Sequence, residues 1–93
     1  MSKLKPFEPS KYLTHGETVS EFLSASLEDP NPDVFLCALQ EVARARGMTQ
    51  LAKDAGINRE SLYKALAPGA KPRYDTILRL VSALGLKLTA SQI

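Results

Sequence analysis

Ninety-three residues suffice for one small domain, and a composition of 44% hydrophobic and 24% charged residues excludes a chain disordered throughout. A single cysteine, Cys37, excludes an intramolecular disulfide, and no apolar run approaches the ~20 residues of a membrane helix, so a reducing cytoplasm is the expected location. The net charge of +2 is uninformative until it is divided along the chain.

Residues 1–13, MSKLKPFEPSKYL, carry two prolines, little periodicity and no apolar stretch of the kind a secretion signal needs. They are expected to form an extended arm, with Phe7, Tyr12 and Leu13 able to lie on a surface. Thr14 and Glu17 match a capping box, and Val19, Phe22, Leu23 and Leu27 follow at helical spacing, so a first helix is expected over about 15–28. The tetrapeptide DPNP (29–32) stops it. Asn31 then caps a second helix over about 32–46, with Pro32 at its first position, where the missing amide costs nothing. Phe35, Leu36, Ala38, Leu39, Val42 and Ala43 give that helix a broad apolar face, and Cys37 is expected as a small core residue. Gly47 is placed to end it in a left-handed conformation, with Arg44 and Arg46 near its carbonyl end.

The stretch GMTQLAKDAGINRESLYKAL (47–66) carries helical periodicity interrupted by Gly56. Thr49 is a suitable N-cap for a short helix through about Ala55, with Leu51, Ala52 and Ala55 inward. Gly56 supplies the positive φ of a sharp turn, Ile57 plugs the corner, and Asn58 caps a second short helix over 59–66. This is a helix-turn-helix layout across 48–66. With Leu62 and Leu66 inward, Lys64 points out beside Glu60 and Ser61, Arg59 and Tyr63 occupy one flank, and Asn58 and Ala65 the other. Beyond it, APGAKPR (67–73) is a loop. Asp75 is expected to cap a last helix bearing Ile77, Leu80, Val81 and Leu84, with Tyr74 packed beneath it. Gly85 ends that helix, and Leu86–Thr89 alternates like a short strand that needs a partner, such as the same segment of a second subunit.

Division of the charge singles out the same central stretch. Residues 1–43 hold three lysines against seven carboxylates, a balance of −4; residues 44–73 hold seven cations against Asp54 and Glu60, a balance of +5; residues 74–93 hold Arg79 and Lys87 against Asp75, a balance of +1. A polyanion partner at the middle and a different partner at the acidic front are expected. A polar helix beginning just after a glycine turn suits the edges of bases in the major groove. Arg59, Ser61 and Lys64 are the expected base readers, with Asn58, Glu60 and Tyr63 as secondary candidates; Glu60 has two roles open to it, accepting from cytosine N4 or favouring its helix N-terminus. Thr49, Gln50, Lys53 and Lys71 are the expected phosphate contacts. One histidine and one distant cysteine make no metal site, no cofactor is expected, and the absence of any acid, base and nucleophile cluster argues against an enzyme.

The stretches KLKPFEPSKYL (3–13), SASLEDPNPDVFLCALQEVARARGMTQLAKDAGINRESLYKAL (24–66) and DTILRLVSALGLKLT (75–89) resemble the addiction-module antidote (HigA-like) family of helix-turn-helix antitoxins. The specific part is VARARGMTQLA joined to GINRESLYKAL. The chain departs from the family in a more basic loop, PGAKPRY, and in the rigid DPNP. The resemblance implies one all-α domain over 1–93: a compact five-helix, λ-repressor-like fold with an N-terminal arm and a short C-terminal extended segment. It further implies a homodimer on palindromic double-stranded operator DNA in its own promoter, and neutralisation of a RelE/ParE-like toxin. A solitary phage-type repressor without a toxin is the alternative.

Overall fold

The path of the chain is set by where its glycines and prolines stop each helix. A computed structural model describes residues 16–93, with side-chain surroundings from residue 19 onward. The arm, the Thr14–Glu17 capping box and His15 lie outside the described residues or side chains. Five helices follow in order: α1 (Gly16–Leu27), α2 (Pro32–Arg46), α3 (Met48–Ala55), α4 (Arg59–Ala65) and α5 (Tyr74–Ala83). The described residues contain no strand, as the all-α expectation requires.

Helix α1 packs on α2, and α3 is the hub, contacting α2, α4 and α5. Leu39, Leu51, Leu62 and Leu80, each with 0% exposure and each from a different helix, meet in one core, joined by Val19, Leu23, Val42 and Val81. Burial on this scale is what holds helices too short to be stable alone. Gln40 Nε2 of α2 donates to the Leu66 carbonyl at 3.1 Å, tying the open end of α4 to the core.

Several local expectations hold. The Asn31 side chain accepts from the Asp33 amide, with Pro32 at the first position of α2. Leu51, Ala52 and Ala55 are buried on α3. Others are corrected. Cys37 is exposed: it lies about 200° round the helix from Phe35, opposite the face that Phe35, Ala38, Leu39 and Val42 turn inward. In the last turn of α1 the buried position belongs to Ser26, whose hydroxyl donates to the Leu23 carbonyl at 2.6 Å, while Leu27 is half exposed. Thr49 does not cap α3. Gly47 alone joins α2 to α3, its amide donating to the Ala43 carbonyl and its own carbonyl accepting from the Leu51 amide, so α3 begins at Met48 and Thr49 stands exposed in its first turn. The Gly47 φ is positive, at 100°, but its ψ of 118° opens the chain rather than curling it.

At the far end, α5 starts one residue before Asp75. Arg73 occupies the N-cap position without a side-chain cap, and Asp75 sits in the first turn, 3.4 Å from the Arg73 guanidinium. Tyr74 is 68% exposed, because it stands one turn before Ile77 and beyond the edge of the core. After Gly85 the chain keeps its alternation without a ladder: Leu86 and Leu88 pack half-buried against the core, Lys87 and Thr89 are exposed, and the Leu86 amide turns back to the Val81 carbonyl.

Candidate nucleic-acid interface

Two short helices meet at a turn whose geometry is that read from Gly56-Ile57-Asn58. Gly56 adopts φ 73°, ψ 29°, the left-handed basin in which a side chain is strained. Its amide donates to the Lys53 carbonyl at 3.2 Å and the Ile57 amide to the Ala52 carbonyl at 3.0 Å, satisfying the carbonyls that the end of α3 would otherwise leave open. Ile57 is half-buried against the core, as a corner plug must be. Asn58 Oδ1 accepts from the Ser61 amide at 2.7 Å, starting α4 and leaving the Asn58 NH2 group outside the cap.

Helix α4 divides cleanly. Leu62 and Leu66 are buried; Arg59, Glu60, Ser61, Tyr63 and Lys64 are all exposed. The flank shared by Arg59 and Tyr63 is more organised than the helical wheel indicates. The Arg59 guanidinium donates to the Tyr63 hydroxyl at 3.2 Å and lies over the ring, 5.3 Å from its centre, so cation and aromatic ring are held together. Tyr63 pairs with Arg59 while remaining 48% exposed. Glu60 sits in the first turn of α4, where a carboxylate favours the helix N-terminus.

An open recess of about 380 Å3 separates α4 from the following loop, and Ser61, Lys64 and Lys71 all line it. The structure therefore brings Lys71, across the loop that follows α4, beside two of the expected base readers. Thr49, Gln50 and Lys53 are exposed on α3. Gln50 Nε2 donates to Asp54 Oδ1 at 2.8 Å, a pairing across one helical turn that its i,i+4 spacing permits and the sequence reading missed. The second amide hydrogen of Gln50 stays available to a ligand.

Over residues 3–92 the chain matches the model of a family described as probable addiction module antidote protein. It belongs to that family. Membership rests on almost the whole chain, and an antidote implies a toxin as its counterpart. A relative from Haemophilus influenzae (strain Rd), an uncharacterized protein, is 40% identical over 90 residues, covering 97% of this antidote chain and 93% of the relative. No solved structure matches this chain. Among the described residues no helix is long and apolar enough to cross a membrane, and no group of three His, Cys, Asp or Glu side chains is placed to hold a metal ion.

Proposed function

We propose that this chain is the antitoxin of a type II toxin–antitoxin module, and that α3, the Gly56 turn and α4 form a DNA-binding helix-turn-helix of the λ-repressor kind. The observation that carries this reading is the outward face of α4. Immediately after a left-handed glycine and an asparagine cap, a helix anchored by Leu62 and Leu66 exposes Arg59, Ser61 and Lys64, with Tyr63 the one aromatic among them. Arg59 and Lys64 have the donors that guanine O6 and N7 accept, and Ser61 suits either partner of a base pair. Asn58, Glu60 and Tyr63 flank these readers. Thr49, Gln50 and Lys53 on α3 and Lys71 on the loop hold phosphates, which fix register without reading sequence.

One seven-residue helix covers few base pairs, so the chain acts as a homodimer on a palindromic operator with half-sites about one helical turn apart. Bound at its own promoter it represses the module, and off DNA or on it, it neutralises a RelE/ParE-like toxin. Membership of an antidote family favours this over a solitary phage-type repressor. The deciding experiment is co-purification of the chain with the product of the neighbouring reading frame, followed by a gel shift on their shared promoter. A retarded band that carries both proteins and is lost on scrambling the palindrome is expected. No shift at low salt would end the DNA-binding reading and leave antidote membership standing.

A further inference from the structure

Away from the α3–α4 face, an open apolar groove of about 560 Å3 runs between the α1–α2 junction and the start of α5. Phe35, Leu36 and Ile77 line its depth, and two exposed large apolar side chains, Leu27 at 50% and Tyr74 at 68%, stand on its rim. The margin is held before anything binds. Asp29 Oδ1 accepts from the Asn31 amide at 2.8 Å and Asn31 Oδ1 from the Asp33 amide at 2.9 Å, which fixes the proline-bracketed linker as a turn. Asp29 and Asp33 line the groove and are exposed. They belong to a region of one sign: residues 16–43 hold six carboxylates and no lysine or arginine. Lys71, on the loop that also borders α4, is the cation lining the groove.

Charge decides among the possible occupants. Duplex DNA would bring phosphates against Asp29 and Asp33. A second copy meeting this groove with its own would bring Asp29 and Asp33 twice into one interface, four carboxylates against two Lys71 side chains. A second copy offering its basic 44–73 face would make a head-to-tail contact, which builds rings or filaments rather than a two-fold dimer. The partner that fits is a different protein carrying apolar side chains flanked by lysine or arginine. We propose that this partner is the toxin: an apolar segment of it fills the groove, its flanking cations sit on Asp29 and Asp33, and the α3–α4 face remains open to DNA. The proposal rests on the antitoxin reading above.

The test titrates the full chain with the purified product of the neighbouring reading frame, by calorimetry at two salt concentrations. The double variant Leu27→Ser/Tyr74→Ser should weaken binding by at least ~10-fold, as loss of two large apolar contacts does. The double variant Asp29→Asn/Asp33→Asn should weaken it at low salt and flatten its salt dependence. Operator affinity and thermal midpoint should stay near wild type in both. Should the first variant melt early, Tyr74→Ser alone carries the test, since that side chain lies outside the core. Wild-type toxin affinity in these variants would overturn the groove while sparing the antitoxin reading. Absence of binding by the wild-type chain would overturn both. Loss of toxin binding together with conversion to monomer in sedimentation would make a second copy the occupant, and would overturn the proposal.

Discussion

Arg59 and Lys64 both project from α4, yet the fold presents them differently. Arg59 is held against the Tyr63 ring, so its planar fork loses less freedom on meeting a base than a side chain free to rotate. Lys64 is exposed on the wall of the recess that also holds Lys71. In the DNA-binding reading, Arg59→Ala or Lys64→Ala should cost about 1–3 kcal/mol of operator binding and flatten preference at one base position, measurable by anisotropy against a set of single-base operator variants. Gln50→Ala should instead weaken all sequences alike. Wild-type affinity in both α4 variants would mean that another surface reads the operator. The exposed residues of α4 could be named from spacing because periodicity states which way a side chain points. The Arg59–Tyr63 and Gln50–Asp54 bonds were within reach of the same i,i+4 rule, whereas the approach of Lys71 to Ser61 depends on where a seven-residue loop folds back.

At the scale of the element, the turns carry the strongest signals. No atom lies within 4 Å of a Cβ added at Gly56, so its requirement for glycine is one of backbone conformation alone. Gly56→Val should therefore destabilise the fold by about 1–2 kcal/mol or more, whereas Gly56→Asn should cost less, since asparagine tolerates the left-handed basin. Equal thermal midpoints for wild type and Gly56→Val would show the turn to be misread. Gly47 differs. Its φ of 100° with ψ of 118° lies outside that basin, and Gly47→Asn should be no milder than Gly47→Ala in the same melting experiment. Helix existence and type were legible for all five helices, and the Asn31 and Asn58 caps gave the starts of α2 and α4, while the starts of α3 and α5 were not legible. Capping side chains at Thr49 and Asp75 were plausible in isolation, but a single-residue connection and an earlier start of α5 displaced them. The same holds for Cys37, where apolar composition outweighed an angle that the helical period already supplied.

For the whole molecule, the core and the charge distribution make separate predictions. Leu39 has 0% exposure at the centre of α2, and Leu39→Ala should cost about 2–5 kcal/mol in denaturant unfolding through lost burial and the cavity left behind. A loss below 1 kcal/mol would place the centre of packing elsewhere. If the homodimer neutralises about six to eight phosphates, log K for the operator should fall with log[salt] with a slope of roughly −5 to −7. A slope near zero would remove the part of the DNA reading that rests on the +5 of residues 44–73. The linear chain determined the helices, the glycine turn, the outward polarity of α4 and the separation of acidic from basic residues, because each follows from neighbours within one or two turns. Only tertiary structure decided that Lys71 joins α4, that Leu27 and Tyr74 border a groove, and that Asp29 and Asp33 stand at its margin. The groove joins residues more than 30 positions apart, at distances set by how α1, α2 and α5 pack, and Lys71 reaches α4 only through the path of an irregular loop; no local periodicity encodes either.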